Sequence, residues 1–150
     1  MEISIADQGV VLQKIIDQIV DGVIVGNSKG EFLMWNKAGQ EIIGLGPLSV
    51  PVEEWSNVYG CFCEDGTTLC PPQDLLLAKA IRGEKVINQI ICIRNAMVKE
   101  RWLSLSGEPL IFENGTAGGV IVFRDITSIV RMNLVVQQLQ DLVKVQKEIG

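Results

Sequence analysis

The chain of 150 residues contains no histidine. That absence removes imidazole metal ligands, histidine general bases, histidine ligation of haem and any phospho-accepting histidine from these residues. Basic residues are sparse and scattered: 13 Lys and Arg against 18 Asp and Glu, a net charge of -5. Nucleic-acid binding needs clustered cations, so no nucleic-acid partner is expected. No apolar run approaches the ~20 residues needed to cross a bilayer. The start, Met1 to Asp7, lacks the basic and apolar regions of a signal peptide. Four cysteines do not make a disulfide scaffold in a chain of this length. Without an export signal they are expected to be reduced thiols in a cytoplasmic protein. There is no internal repeat and no low-complexity segment.

What is present is apolar: 47% of residues, ample for one core with appended helices. Val11, Leu12, Ile15, Ile16, Ile19 and Val20 recur at helical spacing, and Asp21-Gly22 ends that pattern. Val23-Ile24-Val25 and Phe32 to Trp35 read as strands joined by Asn27-Ser28-Lys29-Gly30, a hairpin sequence. Asn36 can cap a short helix carrying Ala38, Ile42 and Ile43, stopped at Gly44. Residues 47–72 hold four of the five prolines and read as irregular, with room for short helical turns. Pro71 and Pro72 are placed to open the next helix, which runs to Gly83. Three more strands follow, 86–94, 101–112 and 117–124, the last two joined by Asn114-Gly115. Five strands with helices inserted after the second favour an α+β fold, an antiparallel sheet with helices on one face.

The last strand meets a long apolar-periodic helix at Arg124-Asp125-Ile126-Thr127 without a linker. Ile129, Met132, Val136, Leu139 and Val143 recur at alternating three- and four-residue steps, with Gln146 next and Gly150 the only stop signal. This is a heptad seam, flanked by Val135, Leu142 and Ile149. It predicts a parallel homodimer in preference to a helix packed on its own sheet, although the off-seam Leu134 and Val145 lend the second reading some support. The N-terminal stripe has the same two readings: part of a dimer interface, or a cover for the open face of the sheet.

Several segments in order carry a family likeness: Asp21 to Val25, Gly30 to Ala38, Asp65-Gly66-Thr67-Thr68-Leu69, Ala78 to Glu84, Arg101 to Ser106 and Gly119 to Thr127. Over roughly residues 10–130 the chain resembles a PAS domain, of the kind found upstream of bacterial sensor histidine kinases. The resemblance implies a five-stranded antiparallel sheet, a helical face enclosing a pocket, and signalling helices at both ends. It divides the chain into an N-terminal helix (1–21), a PAS core (22–125) and a C-terminal coiled-coil-like helix (126–150). It also implies that Asp125 and Thr127 tie the last strand to the exit helix, and either side chain can cap a helix starting there. Haem-binding members use a histidine, absent here, and the light-sensing flavin members carry an Asn-Cys-Arg-Phe-Leu-Gln motif that Tyr59-Gly60-Cys61-Phe62-Cys63-Glu64 does not match. Haem and covalent flavin are therefore disfavoured, no cofactor is expected, and a small-molecule ligand stays open. The implied function is sensory or regulatory: dimerise, and relay a signal through the C-terminal helix to an effector such as a kinase.

Cys61, Cys63 and Cys70 offer an alternative, a thiol redox or metal sensor. Zinc sites usually want four ligands, and Glu64 and Asp65 nearby would raise thiol pKa values, so ordinary loop cysteines are the plainer reading. Trp35, Trp55, Trp102, Tyr59 and Phe62 are candidates for a pocket lining or for plain core, and Trp102 is expected to face outward on the sheet. The acidic pairs Glu53-Glu54 and Glu64-Asp65 read as solvated, and Gly44 to Ser49 lacks the Lys of a phosphate loop. No catalytic constellation is present, which disfavours an enzyme. An interaction module without ligand is the remaining alternative.

Overall fold

The computed structural model describes residues 4–149; Met1 to Ile3 and the Gly150 stop signal lie outside the described residues. In chain order the elements are α1 (Ile5–Gln18), β1 (Gly22–Asn27), β2 (Phe32–Trp35), α2 (Lys37–Ile43), α3 (Trp55–Tyr59), β3 (Cys61–Phe62), α4 (Leu76–Ile81), β4 (Val86–Ile93), β5 (Arg101–Ile111), β6 (Ala117–Asp125) and α5 (Thr127–Ile149). The strands form one antiparallel sheet in the order β2-β1-β6-β5-β4-β3. The five expected strands are all there. The sixth, β3, has two residues, and its pairing of Cys61 with Ile93 is a long-range contact invisible to local pattern.

Residues 47–72 are less irregular than their composition predicts. They hold a 3-10 turn at Val52–Glu54, then α3 and β3. Pro72 opens a second 3-10 turn, Pro72–Asp74, rather than the helix itself; α4 begins after extended Leu75. The N-terminal helix starts earlier than its stripe suggested, because Ser4 accepts a hydrogen bond from the Asp7 N–H, and it stops at Ile19 in extended geometry.

One sheet face carries the core: Ile24, Ile91, Ile93, Leu103, Leu105, Ile121 and Phe123 meet Ile43, Trp55, Tyr59 and Leu75 to Ala78 from the helical layer. Helix α4 lies close against the sheet because small residues let it. A Cβ on Gly119 would stand 2.8 Å from the Ala80 Cβ, and one on Gly107 would stand 3.0 Å from the Leu76 Cγ. At Gly60, with φ of 70°, a Cβ would sit 1.6 Å from the Arg94 carbonyl oxygen, so the α3–β3 corner admits glycine alone.

The other sheet face is uncovered. Helix α1 buries none of its residues, so it does not close that face as one reading of its stripe proposed. Helix α5 also buries none, which removes the reading in which it packs at home.

Asn36 joins the pieces. Its side chain is 1% exposed. Oδ1 accepts from the Val23 and Gly39 N–H groups at 2.9 and 2.8 Å, capping α2 and fastening it to β1. Nδ2 donates to the Asp21 carbonyl at 2.8 Å and to the Ile16 carbonyl at 3.5 Å. Asn36→Ala leaves these buried partners unpaired. It should cost about 2–4 kcal/mol by urea denaturation, more than an ordinary cap. A loss under about 1 kcal/mol would mean that the amide is not the fastening.

Candidate functional site

Three places collect the residues that the sequence singled out: a cavity in the core, the hairpin of cysteines beside it, and the junction of β6 with α5.

The cavity lies between the sheet and the helical layer and encloses about 70 Å³. Of the five candidate aromatics Trp35, Trp55 and Tyr59 line it, and Phe32 joins them. Phe32 stacks on Trp55 with centroids 5.2 Å apart and meets Trp35 edge-on at 5.3 Å. Trp102 and Phe62 do not line it. Trp102 alternates with core-facing Leu103 and so stands half-buried on the outer face. Arg94 lies 5.3 Å over the Phe62 ring. Cofactor sites commonly enclose roughly 300–1,000 Å³. As packed, these walls leave no room for a haem or an isoalloxazine ring.

The Tyr59 hydroxyl reaches out of the cavity wall to the segment after α2. It accepts from the Leu48 N–H at 2.9 Å and donates to the Gly46 carbonyl at 3.1 Å. Burial raises its pKa.

Cys61 and Cys63 alternate along a short hairpin whose return strand carries Cys70. The Cys70 N–H donates to the Cys61 carbonyl at 2.9 Å, and the Cys63 N–H to the Thr68 carbonyl at 2.8 Å. Burial pushes the Cys61 thiol up to about 12, with Cys70 adding to it, and burial followed by the adjoining Cys63 thiol does the same to Cys70. Cys92 is also buried and raised. All four are free thiols. Among the described residues no group of three or more Cys, Asp or Glu is arranged to hold a metal ion. Of the acidic pairs, Asp65 is a turn residue: hydrogen bonds from Thr68 and Thr67 hold its carboxyl down to about 2.

At the junction the Thr127 N–H donates to Asp125 Oδ1 at 2.9 Å, as does the Thr127 hydroxyl. Thr127 Oγ1 in turn accepts from the Trp102 N–H at 2.9 Å, and the Ile126 N–H donates to the Trp102 carbonyl at 2.8 Å. The first residue of α5 is thus fastened to β5 as well as to β6. Arg101, given no role by sequence reasoning, extends the chain of contacts. Its Nη1 donates to the carbonyls of Glu41 and Ile42 at the end of α2, at 2.6 and 2.7 Å, and its Nε lies 4.0 Å from Asp125 Oδ2. An arginine beginning a strand is a poor core residue, and that was its one available signal.

A family model for the PAS domain matches residues 11–74. The chain has the PAS fold. Its fold is shared with solved PAS structures at low identity. A PAS domain from Colwellia psychrerythraea superposes with a TM-score of 0.56 at 21% identity, covering 83% of this chain and 99% of that one. A PAS domain from a two-component sensor histidine kinase does so at 0.51 and 9%, covering 81% and 99%. An RNA-binding light-oxygen-voltage receptor gives 0.64 and 16%, covering 93% of this chain and 39% of that chain. No curated protein matches the chain. No helix among the described residues is long and apolar enough to cross a membrane.

The PAS domain's thiols make two measurable statements. In native protein at mildly alkaline pH a thiol reagent should titrate Cys63 alone, and all four cysteines once the chain is unfolded. Cys63→Ser should abolish the native reaction; rapid native labelling of Cys61 or Cys70 would contradict their burial. Stability should also fall as pH rises. Above 9.0 the unfolded chain sheds thiol protons that the folded chain holds until about 12, so folding becomes less favourable across that window. Urea midpoints that stay flat above pH 9.0 would refute this.

Proposed function

We propose that this PAS domain is a sensory or regulatory module of a signalling protein, most simply a histidine kinase, that dimerises through α5 and relays a change of state along it. The single observation that carries this reading is the helix itself. Over 23 residues it buries nothing, yet the seam residues are apolar: Ile129 is 59% exposed, Met132 62%, Val136 43%, Leu139 57% and Val143 53%. Val136, Leu139 and Val143 border one shallow apolar groove. A continuous apolar stripe left in water is an interaction surface. A second copy supplies the complementary stripe.

The route inward is equally specific. Ile43 lines the cavity and lies at the end of α2, whose carbonyls hold Arg101. Arg101 approaches Asp125, and Asp125 caps the first turn of α5. A shift of α2 therefore bears on the entry angle of α5, and two states a few kcal/mol apart suffice for a switch. The effector, the homodimer and the cytoplasmic setting are parts of this proposal. The thiol-redox alternative rests on Cys63 and Cys70 lying side by side, and native labelling tests it.

Sedimentation equilibrium on the full chain checks the association. The wild type should be a dimer, and Val136→Glu with Leu139→Glu a folded monomer, since neither side chain is buried in the domain. A dimer that survives both substitutions overturns the assignment. Asp125→Ala should cost the helix about 1 kcal/mol. It should also speed amide exchange in the first turn of α5; unchanged exchange there would remove Asp125 from the coupling.

A further inference from the structure

The cysteine hairpin brings two thiols into contact. Phe62 pairs with Leu69, so Cys70 stands opposite Cys61 and diagonally from Cys63. The Cys63 and Cys70 side chains are hydrogen-bonded to each other. Cys63 is half-buried, whereas Cys70 is 2% exposed and Cys61 7%. A small solute can therefore meet Cys63 from solvent and reaches Cys70 only through it. That is the layout of a reacting cysteine beside a resolving one.

Joining the two has to move the chain. Diagonal neighbours on paired strands lie about 7–8 Å apart at Cα, and a disulfide spans about 4.4–6.8 Å. Cys70 is anchored: its carbonyl accepts from the buried Ser56 hydroxyl of α3 at 2.5 Å, and its N–H donates to the Cys61 carbonyl at 2.9 Å. Cys63 is therefore the end that is drawn in, and the hairpin tip, residues 64–68, follows. The tip travels as a unit. Asp65 Oδ1 accepts from the Thr67 and Thr68 N–H groups, and the Gly66 N–H donates to the Cys63 carbonyl.

That tip is seated on the anchorage of α5. A Cβ on Gly66 would stand 2.9 Å from the far end of the Trp102 ring, and Arg94 Nη1 donates to the Gly66 carbonyl. Arg94 Nη2 donates to Glu100 at 2.9 Å. Arg94, with the Trp102 indole and the more distant Arg131 of α5, holds the Glu100 carboxyl below its ordinary value. The Trp102 backbone holds Thr127 and Ile126. A displaced tip thus bears on the first turn of α5 through one ring and one cluster of charges.

We propose that Cys63 and Cys70 form a reversible disulfide in response to a hydroperoxide, and that the displaced hairpin tip passes this change through Trp102 to α5. This turns the thiol pair into an input of the relay proposed above and rests on that relay for its output. The Cys63 sulfur attacks the O–O bond; an S–O bond forms, the O–O bond breaks, and the leaving oxygen departs as water. Cys63 is then a sulfenic acid. The Cys70 sulfur attacks that of Cys63; the S–S bond forms, the S–O bond breaks, and the hydroxyl leaves with the Cys70 proton as a second water. Two thiols lose two electrons and two protons, and hydrogen peroxide becomes two waters. Burial pushes the Cys70 thiol from 9.0 up to about 12, which cuts its thiolate about a thousandfold. Contact with Cys63 offsets this, because well-oriented neighbouring groups react at effective concentrations of ~10⁵ M or more.

The test treats the full chain with hydrogen peroxide, blocks remaining thiols, and cleaves after Glu64, between Cys63 and Cys70. Without reductant the two fragments should stay joined in the wild type and in Cys61→Ala. They should separate in Cys63→Ser, and dithiothreitol should part them in every case. Amides in the first turn of α5 should exchange about fivefold faster in the oxidised wild type, the effect of loosening one helix cap. Peroxide should leave that exchange unchanged in Cys63→Ser. Cys70→Ser removes the same bond from the other side and serves should Cys63→Ser not fold. Oxygen gained on Cys63 without a link, a bond through Cys61, a bond between two chains, or unchanged exchange in linked protein would each overturn the proposal. Linked protein with a faster first turn that stays monomeric keeps the switch and removes the dimer. A dimer that forms no link does the reverse.

Discussion

Asn36 is the interaction on which the rest of the domain depends. Both ends of one buried amide are used, and they reach four backbone positions: the end of α1, the turn at Asp21, the start of β1 and the first turn of α2. An Asp in its place would offer no donors to the Asp21 and Ile16 carbonyls, and a Leu would offer nothing. The arrangement fixes where α2 sits over the sheet. That position in turn sets the cavity wall at Ile43 and presents the terminal carbonyls of α2 to Arg101. The core's shape and the anchorage of Arg101 therefore share one origin.

The domain's two sheet faces do different jobs. The inner face is closed by short helices brought near by glycines on β5 and β6, and it holds the aromatic cluster and the hollow beside it. The outer face, with both long helices, keeps apolar side chains in water: Leu33 and Val122 on the sheet, and every seam residue of α5. A protein that only needed to be stable would fold its longest apolar helix onto that face. Here the hydrogen bonds of Asp125, Thr127 and Trp102 fix the start of α5 while its side chains stay free.

Local chemistry made much of this legible. The turns at Asn27 to Gly30 and Asn114-Gly115, the cap at Asn36 and the Asp125 to Thr127 junction each depend on residues a few positions apart, and each forms as its sequence reads. What escaped depends on distant partners. Strand β3 exists because Ile93 lies opposite Cys61, and Arg101 matters because α2 ends within its reach. The cavity could not be read at all. Apolar residues that enclose a space and apolar residues that fill it look alike along a chain, and only their packing in three dimensions distinguishes them. The outward face of Trp102 was read from strand alternation, but its backbone, not its ring, is what holds α5.

The pairing of Gly22 with Phe123 has a consequence for how such a unit is built into larger chains. Neighbouring strands lie about 4.8 Å apart, so the roots of the entry and exit helices are side by side. Arg124 reaches Asp21 across that gap at 3.3 Å. A cassette whose two ends meet can be spliced into a host at a single point, adding a sensor without lengthening the host's frame. Evolution can then exchange one such insert for another and keep the machinery on either side unaltered.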